Sequence, residues 1–295
     1  MARLAAIIYK GESMEIKITT LAENTAGPGA LGEWGLSMLV EADGQKILFD
    51  TGGGLAAVAN AELMKIDLAG VDRIVLSHGH YDHTGGLLEV LKRSGGKEII
   101  AHPDVWTRKY GSLDNAPKRY VGIPFAREAL EVNGTYFNLS KKPVKISEHI
   151  MTTGEIPMVT DYEIVEKYLC VKEGDELKQD PLNDDLALVI DTEYGLMVIM
   201  GCAHHGIVNN LLQAKKVTGK ELIYAAIGGT HLIHASQERL EKTAADLMSM
   251  GVQYLGVSHC TGFKASAYLA GEFGDRFFQN NAGSRWTLPF KEEQR

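Results

Sequence analysis

Three of the ten histidines fall within one run of six residues, His78-Gly79-His80-Tyr81-Asp82-His83. Two imidazoles at i and i+2 on a loop can turn onto one cation. Asp82 and His83, a turn further on, can face a second cation or the solvent. Imidazole nitrogen and carboxylate oxygen suit zinc first, and iron or manganese as well. The competing reading is a solvated polar loop, or histidines capping the next helix. A single loop supplies too few fixed ligands, so later segments must contribute. His204, in Gly201-Cys202-Ala203-His204-His205-Gly206, is the leading addition, although it could instead cap a helix or support another ligand. His259, before Cys260-Thr261-Gly262, is the other. The candidate metal ligands are His78, His80, His204 and His259, with Asp82 and His83 facing either a second divalent ion or the solvent.

Other residues carry subsidiary readings. Cys202 is a thiolate ligand or a small buried hydrophobe, which is what most free cysteines are. His231, in Gly228-Gly229-Thr230-His231, sits on a glycine-rich turn from which it could reach a cleft and move protons. Asp82 and His231 are the catalytic candidates. Asp50 precedes glycines, where a carboxylate commonly orients an imidazole through its second ring nitrogen. His205 reads as exposed, and His102 and His149 lack supporting context.

The elements that must position these residues follow an α/β rhythm. Lys46 to Asp50 and Trp34 to Ala42 flank Asp43-Gly44, a strong hairpin signal. Val71 to Ser77 reads as a buried strand that delivers the histidine cluster, Gly86 to Arg93 as a helix, and Glu98 to His102 as a strand. Later strands are expected at 186–191, 195–200, 222–227 and 253–258, with helices at 208–217 and 237–250. Four apolar strands thus end directly in polar residues: Asp50, the His78 cluster, Cys202-Ala203-His204 and Ser258-His259-Cys260. A fifth leads to His231 within four residues. Strand ends are where α/β folds assemble their sites. Residues 104–180 hold four of the eight prolines and read as an insertion or lid.

Composition narrows the partners. The chain has 295 residues, 45% of them hydrophobic, and a net charge of −8. Without a basic stripe to neutralise phosphates, nucleic acid is not the expected partner. No stretch approaches the roughly 18 apolar residues of a membrane span, and the apolar run within Met1 to Lys10 is too short for a signal-peptide core. Three cysteines without a CxxC spacing fit a reducing compartment, so the expectation is a cytoplasmic protein acting on a small molecule.

The run His78 to His83 resembles the HxHxDH signature of the metallo-β-lactamase superfamily, and Leu48-Phe49-Asp50-Thr51-Gly52 resembles its upstream aspartate motif. The resemblance implies an α/β fold, a four-layer αβ/βα sandwich over residues 1–295, with 104–180 inserted. It places His78 and His80 on one metal, and Asp82, His83 and His259 on another. Asn183-Asp184-Asp185 stands where that superfamily usually has a third histidine, and Cys202 where it has an aspartate. The motifs Asp184-Asp185-x-Ala187-Leu188 and Gly228-Gly229-x-His231-Leu232 are similar to a subgroup related to an archaeal synthase. That enzyme joins a dihydropterin methyl diphosphate to a ribofuranosylaminobenzene phosphate. The expected function is a metal-dependent hydrolase that activates water against an ester, lactone or phosphoester. The alternatives are the synthase-type transfer and a non-catalytic metal or redox sensor using Cys202 and Cys260.

Overall fold

The structure, a computed structural model, describes residues 14–112, 118–132 and 134–290, so the first ten residues read above lie outside it. Continuous apolar runs dominate the strands because most are buried on both faces. Phe49 and Ile47 face one way and Leu48 the other, into separate apolar clusters. In the second half of the chain, Leu188, Ile190, Met197 and Ile199 point inward, and Ala187, Val189, Val198 and Met200 outward.

The inward residues of both halves share one core, which joins two sheets face to face. The first sheet has the order Arg285–Leu288, Ile16–Ala22, Ser37–Ala42, Gln45–Phe49, Arg73–Val75, Glu98–Ala101, Tyr136–Leu139. The second has the order Phe277–Gln279, Tyr254–Ser258, Ile223–Gly229, Gly195–Met200, Ala187–Thr192, Ile150–Thr152. Each sheet is part antiparallel and part parallel. Helices Ala56–Leu63 and Leu87–Ser94 cover the outer face of the first sheet. Helices Ile207–Thr218, Gln237–Ser249 and Phe263–Phe273 cover the second. Helix, sheet, sheet, helix is the four-layer sandwich expected from the sequence.

Registers within each parallel set bring the carboxyl ends of strands level. Phe49 pairs with Val75, Met200 with Gly228, and Gly229 with Ser258. Asp50, Cys202, His231 and His259 therefore leave the sheets along one edge. The turns are tight: Asp50, Ala203, His231 and His259 have φ of 58°, 51°, 49° and 53°. Left-handed backbone at non-glycine residues is costly and gathers at sites where surrounding structure enforces it.

Residues 104–180 divide among the layers. Tyr136–Leu139 and Ile150–Thr152 are edge strands of the two large sheets, while Lys109–Gly111, Arg119–Tyr120, Leu169–Glu173 and Glu176–Gln179 form a separate four-stranded sheet. Among the described residues no helix is long and apolar enough to cross a membrane.

Candidate metal centre

Imidazoles delivered by the two sheets meet in two adjoining groups. In the first, His204 Nε2 lies 3.2 Å from His78 Nε2 and 3.2 Å from His80 Nδ1. In the second, His83 Nε2 lies 3.2 Å from His259 Nε2, and His259 Nε2 lies 3.3 Å from Asp82 Oδ2. Cys202 Sγ is 3.1 Å from His83 Nε2. Its sulfur shares a sphere of mutual distances within 4.8 Å with His78 and His204, and another with His83 and His259. Cys202 thus occupies the place between the groups. All six residues expected as ligands are gathered here, together with Cys202.

Unprotonated nitrogens converging at 3.2 Å repel unless a proton or a cation lies between them. Tetrahedral ligation at 2.0–2.1 Å would place ligand atoms about 3.3 Å apart, so these separations fit a cation of zinc's size. The imidazoles are also steadied from behind. His78 Nδ1 lies 2.8 Å from Ser77 Oγ, His83 Nδ1 2.7 Å from Asp50 Oδ2, and His259 Nδ1 2.9 Å from Asn24 Oδ1. Glu23 accepts the backbone N–H of His259 at 2.5 Å, and Trp34 Nε1 donates to Asp82 Oδ2 at 2.9 Å. Asp50 stands where the sequence reading placed it, behind an imidazole. Glu23, Asn24 and Trp34 carried no legible signal of this role, because they lie in the irregular connection between strands Ile16–Ala22 and Ser37–Ala42. The second of these begins three residues after Trp34, the start that the sequence suggests.

Charge separates the groups. Burial, then the neighbouring imidazoles, pushes His78 well below its ordinary value. Burial and the Lys109 ammonium bring His80 down to about 3. His204 is lowered by burial and by His231. Burial would lower His83 too, but the Asp50 carboxylate outweighs it and raises this group to about 9. For Asp82, burial raises the carboxyl, yet the hydrogen bond with His259 and the charge of His83 hold it well below the usual carboxylate range. The first group is thus ready as neutral donors, whereas a cation in the second must displace a proton from His83.

The groups open onto a cavity of about 540 Å³. Trp34, Tyr81 and Tyr168 supply aromatic walls, and Arg119 lies at the rim with its guanidinium 5.9 Å from the Tyr81 ring centroid. His231 also lines the cavity, with Nε2 3.3 Å from Tyr168 Oη and 3.3 Å from Glu166 Oε2. His205 corrects an expectation: it is buried, with Nδ1 2.5 Å from the Ile156 carbonyl and Nε2 2.8 Å from that of Pro181. Its position inside the turn after Cys202 draws it under residues 156–181, a fold-back that local sequence does not announce. His102 is buried and structural, accepting Asp104 N–H at Nδ1 and meeting Glu155 at Nε2.

A two-sheet sandwich with clustered imidazoles, a carboxylate and a thiol at its strand ends defines a metalloenzyme-type centre. A family model described as Metallo-beta-lactamase superfamily matches residues 35–250. The chain belongs to that superfamily, which is metal-dependent. It is 34% identical to the 7,8-dihydropterin-6-methyl-4-(beta-D-ribofuranosyl)-aminobenzene-5'-phosphate synthase of Methanocaldococcus jannaschii, over 92% of this chain and 97% of that protein. Among solved structures it is similar to Tm1679, described as a metal-dependent hydrolase of the beta-lactamase superfamily. That match has a TM-score of 0.80 and 29% identity, over 92% of this chain and 98% of the other.

Proposed function

We infer that the chain is a metal-dependent transferase that joins an arylamine to a heteroaromatic methyl diphosphate, with release of diphosphate. Similarity to the archaeal synthase across nearly the whole of both chains carries this reading. The pocket supports it, with aromatic walls for flat rings beside a donor cluster suited to cations that attract phosphates. His78, His80 and His204 would hold one divalent ion and Asp82, His83 and His259 a second, with Cys202 between them. When bound, such ions supply Lewis acidity toward phosphoryl oxygens or water. Zinc fits the nitrogen, oxygen and sulfur donors, with iron or manganese as alternatives.

The chain's own residues do the rest. Trp34, Tyr81 and Tyr168 align the rings so that the amino nitrogen meets the methylene carbon. Arg119 offers a fixed positive charge at the rim for a phosphate. The C–N bond forms, the C–O bond to diphosphate breaks, and the nitrogen gives up a proton. His231 is the wall group placed to protonate the departing diphosphate, since Cys260 and the Glu166 carboxylate raise it against the lowering effect of burial, and the amine proton passes to solvent. Asp82, steadied by Trp34, contributes by orienting the donors around it.

Hydrolysis is the second reading, favoured by the description of Tm1679. One assay separates them. Zinc-loaded protein is given 7,8-dihydropterin-6-ylmethyl diphosphate with and without 4-(β-D-ribofuranosyl)aminobenzene 5′-phosphate, and diphosphate release is followed. Release that requires the amine supports transfer, whereas equal release without it supports hydrolysis. No release under either condition, with metal bound, sinks both.

A further inference from the structure

Asp184 and Asp185 occupy the turn before strand Ala187–Thr192, both fully buried. Asp184 Oδ2 accepts the backbone N–H of Gly79, the residue between His78 and His80, at 2.8 Å. Its other oxygen takes the Lys109 ammonium at 2.8 Å, and Lys109 also meets Asp180 at 2.9 Å. Asp185 Oδ2 accepts the backbone N–H of His205, beside His204, at 3.0 Å. Leu186 N–H, next in the chain, donates to the Ser77 carbonyl at 3.0 Å. Three consecutive residues therefore grip both loops that bring His78, His80 and His204 together. Gly79 has no room to slide, since a Cβ there would lie 2.2 Å from the Val105 carbonyl oxygen.

We propose that the Asp184-Asp185 pair is a two-loop clamp whose role is to fix the spacing of the three imidazoles for a cation. Each carboxylate is a positioning residue that acts through a backbone N–H. His78 and His80 arrive from the first sheet and His204 from the second, so their 3.2 Å separations depend on how the sheets' edge loops are held together. The 184–186 turn is tied by hydrogen bonds to both. Asp184 gives one oxygen to Gly79 N–H and the other to Lys109, which a single amide oxygen cannot match, whereas Asp185 accepts His205 N–H through one oxygen. Lys109 pairs with Asp184 and with Asp180, while burial raises the Asp185 carboxyl, whose Oδ2 accepts the His205 N–H.

The proposal rests on the metal reading above, and cobalt(II) titration tests the two separately. Metal-free protein is titrated with cobalt(II), following visible absorption bands and bound stoichiometry, with circular dichroism melts of the metal-free forms alongside. Asp185→Ala removes the acceptor of His205 N–H, while Asp185→Asn retains one acceptor oxygen. The expected result is a ten- to hundredfold weaker cobalt affinity for Asp185→Ala, the range typical of lost outer partners of metal ligands. Asp185→Asn should recover most of that loss. Asp184→Asn, with one acceptor oxygen to share between Gly79 and Lys109, should also weaken binding, and it decides the matter if Asp185→Ala does not fold. Wild-type affinity and spectrum in Asp185→Ala, or in Asp184→Asn where that variant decides, overturn the clamp alone. If the unaltered protein takes up no cobalt, the metal reading falls and the clamp with it.

Discussion

Asp50 uses two oxygens for three contacts: Oδ1 accepts the Ser77 backbone N–H, and Oδ2 meets both the Ser77 hydroxyl and His83 Nδ1, each at 2.7 Å. That arrangement leads to a pH prediction for metal-stripped protein. His83 has an ordinary value of 6.5 and is held at about 9 in the fold. Its contribution to stability is fully present below 6.5 and is lost as pH rises through about 9. His80 runs the opposite way: lowered to about 3, it leaves stability intact above 6.5 and erodes it as pH falls toward 3. Thermal melts across pH should show both limbs, and His83→Gln should remove the alkaline one. An unchanged alkaline limb in that variant would contradict the Asp50–His83 charge pairing. At the same scale, His80→Ala should lose most bound metal and all activity, and undiminished metal by elemental analysis would overturn its assignment. The donor cluster was legible because its residues sit in short motifs at strand ends. Glu23, Asn24 and Trp34 were not, because each meets its partner across a long sequence gap: 236 residues for Glu23 and His259.

Strands and helices were legible wherever local pattern decides them. Asp43-Gly44 forms the expected hairpin turn, with φ of 48° and 68°, and helices Ile207–Thr218 and Gln237–Ser249 fall close to their expected spans. Strand Ile16–Ala22 differs: polar and apolar residues alternate from Glu15 to Thr20, a pattern that suits a half-buried strand, yet six of its seven residues are buried because helix Ala56–Leu63 covers the outer face. Residues 104–180 resisted reading since their strands are short and pair far away, as Leu169–Glu173 does with Lys109–Gly111. Close approach between elements also yields a test of opposite signs. A Cβ on Gly201 would sit 2.0 Å from Ser77 Oγ and 3.0 Å from Asp50 Oδ2, at the junction of the two sheets. Gly201→Ala should therefore destabilise by about 1–3 kcal/mol and loosen the metal centre. Gly271, exposed within helix Phe263–Phe273 with nothing within 4 Å of a Cβ, should gain about 0.5–1 kcal/mol as alanine. Denaturant melts of the two variants check both signs, and equal shifts in the same direction would contradict the packing argument.

The whole molecule is two half-shells joined by an apolar core, with the donor cluster at one edge of the joint. His78, His80, Asp82 and His83 follow a strand of the first sheet, and Cys202, His204 and His259 follow strands of the second. A cation in either group would therefore bind the folded arrangement of both sheets and nothing comparable in the unfolded chain. Mass action then makes global stability depend on free metal, by about 2.7 kcal/mol at a hundredfold excess over Kd. For a domain of this size that corresponds to roughly 5 °C in melting temperature. EDTA should lower the Tm by an amount of that order, and zinc added back in excess of the chelator should restore it. The shift should be absent in a His80→Ala, Asp82→Asn double variant, which lacks a donor from each group. A chelator effect that persists undiminished in the double variant would place the stabilising ion elsewhere in the molecule. A wild-type Tm that ignores both EDTA and zinc would mean that the joint between the sheets is held by its apolar core alone.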